Sequence, residues 1–150
     1  MPSLSIAIAS DHAAVAARLE LSAVLSAAGH RVLDLGCAAG ERVDYPDYAA
    51  AVAAEVAAGR VDAGLLICGT GIGMSIAANK IAGIRAALVH DVTTAKLAAQ
   101  HNRANVLCLG ARVLGPTTLA ECALAWLSTP FEARHQHRLD KISALEEAPK

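Results

Sequence analysis

Aromatic side chains are nearly absent from this chain: one Trp, one Phe and two Tyr, 3% of 150 residues. A core of stacked rings is excluded. The interior must be filled by Ala, Val, Leu and Ile, whose small volume lets helices approach their neighbours closely. Charge is also scarce, at 18% against 55% hydrophobic residues, which excludes a disordered chain. The 13 Lys and Arg against 14 Asp and Glu leave a net charge of −1 and no basic run. Neither nucleic acid nor a membrane surface is therefore expected as a partner, although a local anion site is compatible with this balance. The N-terminus MPSLSIAIAS has no basic region and turns polar at Asp11-His12. No signal peptide or membrane span is read, and a cytoplasmic location is expected. None of Cys37, Cys68, Cys108 and Cys122 stands in a CxxC pair. Three of them read as buried small hydrophobes in a reducing compartment; Cys68 differs in opening a glycine loop.

What the chain does have is alternation. Short apolar runs predict strands over 4–9, 31–35, 63–68, 84–89 and 105–109. Between and after them, longer patterns predict helices over 13–28, 48–58, 74–80, 92–100, 116–127 and 132–145, the last within a C-terminal helical region of about 131–147. Near-continuous apolar strands separated by helices are βαβ units, with a parallel sheet covered on both faces. The expected fold is α/β: one Rossmann-like α/β/α sandwich with a five-stranded parallel sheet, spanning 1–150 as a single domain. In such sheets the ligand crevice lies at the carboxyl ends of the strands. Polar signals gather there: Asp11-His12, the loop after Cys68, His90-Asp91 and Gly110-Ala111-Arg112.

Four constellations carry potential chemistry. The first is Cys68 followed by Gly69-Thr70-Gly71-Ile72-Gly73. Its glycines allow close backbone approach, and the loop opens a helix whose free N–H groups form an anion nest. A thiol in that position is expected to ionise more readily than a free one and to serve as base or nucleophile. From this spacing alone, a catalytic and a buried structural cysteine both stay open. A dinucleotide site fits poorly, because the loop follows the third strand and is spaced G-x-G-x-G. The second is Asp11-His12, a pair able to bind hydroxyls or move a proton. The third is His101-Asn102-Arg103, where a helix C-cap is the plainer reading. The fourth is Arg134-His135-Gln136-His137-Arg138. Its arginines lie four apart on one helix face, either as a phosphate clamp or as a solvated surface. His135 and His137, two apart, point to different sides of a helix and do not form a metal pair.

These motifs resemble ribose-5-phosphate isomerase B and the wider ribose/galactose phosphate isomerase family over about 6–145. The segments carrying the likeness are SDHAA at 10–14, DYPDYA at 44–49, ICGTGIGMSIAANKIAGIRAAL at 67–88, QHNRANVLCLGARVLG at 100–115 and RHQHR at 134–138. The resemblance implies an aldose–ketose isomerase acting through ring opening and a cis-enediolate. No cofactor and no metal are implied, and the assembly would be a homodimer or dimer of dimers with shared sites. It implies Cys68 as base with Thr70 beside it, and Gly69, Thr70, Gly71, Ile72 and Gly73 as the anion hole. His101 would be the ring-opening acid, helped by Asp11. Asp11, His12, Tyr45 and Asn102 would bind sugar. His12, Arg112, Arg134 and Arg138 would hold the phosphate and polar end, partly from the neighbouring subunit. Some members use a glutamate in the loop instead of the cysteine; here that position is Met74. Ala14 and Val15 replace the glycine and aromatic often found after Asp-His-x, which alters the sugar end. Ribose 5-phosphate is the default substrate. Allose 6-phosphate, galactose 6-phosphate, a tetrulose 4-phosphate, or a non-catalytic sugar-phosphate binding subunit are the alternatives.

Overall fold

The computed structural model describes residues 1–147; residues 148–150 of the unit read from the sequence lie outside the described residues. Strands β1 (Ser5–Ser10), β2 (Arg31–Asp34), β3 (Ala63–Cys68), β4 (Ala86–Leu88) and β5 (Val106–Gly110) form one sheet in the order β2-β1-β3-β5-β4. Every pairing is parallel, as the βαβ pattern predicts. The helices are α1 (Val15–Ala27), α2 (Tyr45–Ala57), α3 (Ile72–Ala78), α4 (Val92–Gln100), α5 (Pro116–Ser128) and α6 (Gln136–Glu147).

Side chains alternate across the sheet and divide the interior in two. Ile6, Ile8, Leu65, Ile67, Leu107 and Leu109 face α1, α4 and α5, where Leu21, Leu25 and Trp126 close the layer. Ala7, Ala9, Leu66 and Cys108 face α2 and α3, against Val52, Ala53 and Met74. The small residues do what the shortage of aromatics demands. A Cβ at Gly64 would sit 2.7 Å from Val52 Cγ1, so glycine is what lets α2 lie so close to β3.

Local boundaries depart from the sequence reading in instructive places. Helix α2 begins at Tyr45 rather than at 48, because Pro46 sits in its first turn, where no N–H is needed. Helix α3 begins at Ile72, entered directly from Gly71 in the left-handed region (φ +78). The helices expected to start at 13 and 132 are each preceded by a 3₁₀ turn, His12–Ala14 and Ala133–His135. Full burial on both faces holds for β3 and β5 and for all of β1 past Ser5, but not for β2 or β4. Those two are edge strands, with a neighbour on one side only. Ile84 and Val89 are buried, yet lie outside the β4 ladder. Asp91, one of the polar rim signals, caps α4 by accepting the Thr94 N–H at 2.7 Å. No helix among the described residues is long and apolar enough to cross a membrane.

One buried charge ties the β1 and β2 ends together. Arg18, 4% exposed, donates to Asp34 (Nε, 3.1 Å), Ser10 Oγ (2.8 Å) and the Cys37 carbonyl (2.7 Å). A Cβ at Gly36 would fall 2.0 Å from this guanidinium, so Gly36 is the gap through which the charge passes. Arg18→Met keeps the apolar stem but strands Ser10 and Cys37 in the interior. A loss of about 2–4 kcal/mol of unfolding free energy is expected, read as a lower urea midpoint at unchanged slope. An unchanged midpoint would show that the network contributes nothing to stability.

Candidate active site

The carboxyl rim of β1 and β3 opens into a cleft of about 460 Å³, lined by Asp11, His12, Tyr45, Cys68, Thr70 and Arg112 among others. Gly69, Ile72 and Gly73 of the loop line it too. Each side chain arrives there for a local reason. Asp11 follows β1, is 8% exposed, and accepts the Ala13 N–H at 3.0 Å as cap of the first 3₁₀ turn. His12 is exposed, and the Val43 backbone holds its Nδ1 (N at 3.2 Å, O at 3.0 Å), leaving Nε2 for a ligand. Tyr45 stands at the start of α2 with its ring over Gly73, where a Cβ would meet the ring at 2.5 Å.

Cys68 ends β3 and is 5% exposed; the Gly71 N–H donates to its Sγ at 3.1 Å. A donor aimed at sulfur suits a thiol that carries negative charge during a reaction. Thr70 Oγ1 accepts the Ile72 N–H at 3.2 Å, which tightens the turn into α3. The Arg112 N–H donates to the Gly69 carbonyl at 2.9 Å, and its guanidinium lies over Gly69, with Nη1 3.3 Å from where a Cβ would be. A thiol, a carboxylate, an imidazole and a guanidinium thus share one polar hollow. Burial pushes the Cys108 thiol, on the neighbouring strand, far above its ordinary range. Cys68 is therefore the sulfur with both a cleft and a donor.

The other four expected residues lie elsewhere. Strands β4 and β5 are parallel, so α4 runs back from the carboxyl rim and delivers His101 and Asn102 to the amino rim. There the Asn105 carbonyl accepts the Gly64 N–H at the opposite end of β3 from Cys68. The two rims are separated by roughly 13 Å along β5, at about 3.3 Å per residue. Arg134 and Arg138 cluster with His101, not with Cys68: Arg134 donates to Glu132 at 2.6 Å and Arg138 Nη1 lies 3.5 Å from His135 Nδ1. The His101 and His135 rings stack at 4.4 Å with a 40° tilt.

The sequence reading gave no role to two residues of this second cluster, Glu132 and His135. Glu132 accepts from Gln100 and Arg134, and the Arg134 contact holds its carboxyl below the usual range. Burial lowers the His135 pKa, aided by Arg134, His101 and Arg138 and opposed by Glu132. His135 was weighed only against His137, whereas its neighbour in space is His101. Nothing in the local spacing signals that contact.

The ribose/galactose isomerase family model matches residues 6–142. The chain is 47% identical over 143 residues to ribose-5-phosphate isomerase B of Escherichia coli, covering 95% of this chain and 96% of that one. It is 45% identical over 130 residues to D-erythrulose-4-phosphate isomerase of Pectobacterium atrosepticum, covering 86% of each. The structure of Trypanosoma brucei type B ribose 5-phosphate isomerase superposes with a TM-score of 0.92 at 48% identity, covering 96% of this chain and 99% of that one. The polar hollow around Cys68 and these likenesses agree: the chain belongs to the ribose/galactose isomerase family and is a sugar-phosphate isomerase.

Proposed function

We propose that the chain interconverts D-ribose 5-phosphate and D-ribulose 5-phosphate, with Cys68 as the base. The observation that carries this reading is the Cys68 sulfur at the floor of a phosphate-compatible hollow, held by a backbone N–H and flanked by Asp11, His12 and Arg112. A closed sugar ring has no acidic carbon proton, so acid–base catalysis first opens it. An acid protonates the ring oxygen while the proton on the C1 hydroxyl is withdrawn, with Asp11 assisting. The thiolate then takes the proton from C2, and charge moves to the C1 oxygen as the enediolate. The backbone of Gly69 to Gly73 faces that oxygen, and one such donor is typically worth about 3 kcal/mol. Return of the proton from the thiol to C1, with transfer of the C2 hydroxyl proton to the C1 oxygen, completes the ketose and restores the thiolate. The phosphate does not react. It fixes the substrate against His12 and Arg112, within reach of the thiol.

The acid is His101, and in this reading it belongs to a second copy of the chain. The opposite placement of the two clusters supports this, since one chain cannot fold its amino rim onto its carboxyl rim. The cleft also carries exposed apolar side chains, Ile72 and Ile76, each half or more exposed. A two-fold homodimer, or a dimer of such dimers, would bring His101, Asn102, Arg134 and Arg138 of one copy to the cleft of the other, twice. The chain carries both halves, which favours an enzyme over a binding subunit that needs a different partner. The likeness to the erythrulose 4-phosphate enzyme supports a shorter ketose phosphate as the second reading.

Cys68→Ala is expected to fold and bind substrate while losing turnover by on the order of a thousandfold. Single-turnover kinetics beside a binding isotherm would show it, and turnover within tenfold of the parent would assign the base elsewhere. The shared site has its own check. Cys68→Ala and His101→Asn chains, unfolded together and refolded at equal amounts, should recover about a quarter of parental activity, because half the pairs carry one intact site. A mixture as inactive as its components would place the whole site within one chain. Across a panel of ribose, allose and galactose phosphates and erythrulose 4-phosphate, kcat/KM should be highest for ribose 5-phosphate. A higher value for any other member renames the substrate and leaves the mechanism standing.

A further inference from the structure

The cluster at the amino rim holds something the isomerase reaction does not require. His101, Glu132 and His135 each offer one ligand atom, and these atoms all lie within 4.8 Å of one another. His135 is 4% exposed, and its Nε2 is buried without a hydrogen-bond partner. The nearest acceptor, Glu132 Oε2, is 3.6 Å away, too far for a hydrogen bond. A buried imidazole nitrogen left unsatisfied is rare, and here it faces a carboxylate and a second imidazole.

We infer that His101, Glu132 and His135 bind a divalent transition-metal ion of the zinc class, and that occupancy switches the isomerase off by engaging His101. The inhibitory half rests on the role assigned to His101 above; the binding half does not. Two imidazoles and a carboxylate are a donor set that zinc takes with a fourth position open. Metal–ligand bonds of about 2.0–2.1 Å hold tetrahedral ligand atoms about 3.4 Å apart, so the triangle must contract by about 1.4 Å at its widest. His101 and Glu132 are half-buried and can rotate inward, while His135 is fixed by packing.

Two cations oppose the ion. Arg134 Nε occupies Glu132 Oε2 at 2.6 Å, and Arg138 Nη1 lies 3.5 Å from His135 Nδ1. Both arginines are exposed and free to swing into solvent. Glu132 would keep its second oxygen on Gln100. With Nε2 on the metal, the His135 proton sits on Nδ1, and Arg138 must turn away. The site is therefore one that fills when the ion is plentiful, not a permanent centre. Binding occupies the lone pair that His101 needs to carry a proton.

Cobalt(II), titrated into the intact purified protein, reads the site directly. One ion per chain is expected, with visible d–d bands of a low-coordinate nitrogen and oxygen site and without the intense sulfur-to-cobalt band that Cys68 would give. His135→Gln and Glu132→Gln should each weaken binding more than about a hundredfold, with circular dichroism confirming that both variants fold. Zinc should displace the cobalt and abolish turnover in step with occupancy, and EDTA should restore it. Equal affinity in His135→Gln, a sulfur band, or no cobalt binding would each overturn the site. Binding as described with undiminished turnover would overturn the inhibitory half together with the role of His101. A protein that isomerises no sugar phosphate would refute the proposed function and leave the cobalt stoichiometry to decide the site.

Discussion

The loop after β3 and the end of β5 touch backbone to backbone. A Cβ at Gly71 would fall 2.9 Å from the Leu109 carbonyl carbon, and one at Gly110 would fall 2.7 Å from the Thr70 carbonyl. Gly71 donates its N–H to the Cys68 sulfur and, with its positive φ, turns the chain into α3. Two further bonds lock the loops in register, Ala111 N–H to the Cys68 carbonyl and Arg112 N–H to the Gly69 carbonyl, both 2.9 Å. The spacing of the Cys68–Gly69 and Ala111–Arg112 backbones is thus fixed by main chain, which has few ways to relax. Preorganised main-chain donors of this kind are what an oxyanion site requires.

Around that fixed centre the fold distributes roles by direction. Everything that follows a strand reaches the carboxyl rim, and everything that ends a helix reaches the other. Asp11, Cys68 and Arg112 follow strands; His101 ends α4. The separation is therefore a consequence of alternating β and α units and not of any special insertion. It keeps His101 and Cys68 apart in the isolated chain. It also leaves the amino-rim cluster with an environment of its own, in which the buried His135 ring packs against that of His101.

Much of this was legible beforehand, and the residues show why. Strand β3 and helix α4 stand where the pattern puts them, because the first is a buried apolar run and the second opens on a capping Asp91. The cleft residues Asp11, His12 and Cys68 could be read because strand ends collect ligands in parallel sheets. Tyr45 was placed in a loop because a proline marks turns and first helical turns alike. The edge strands were overestimated because apolar composition reports burial and not ladder pairing. The contact of His101 with His135 and Glu132 was invisible, since it joins segments some thirty residues apart that meet where the Glu132 N–H donates to the Gln100 carbonyl. Arg18 was equally hidden: an arginine inside an amphipathic helix pattern reads as surface until Ser10, Asp34 and the gap at Gly36 are seen around it.

The sheet is bordered by its two shortest strands. Strand β4 has three residues and β2 has four, the latter beginning with Arg31 and finishing with Asp34. An incoming strand would find too few unpaired main-chain groups at one edge and a charge at either end of the other. For a chain with a mean hydropathy of +0.41, that is the barrier against sheet-by-sheet growth into fibres. Brevity and charge at the borders allow the middle of the sheet to be as apolar as it is, so the features that look least ordered guard the most hydrophobic part.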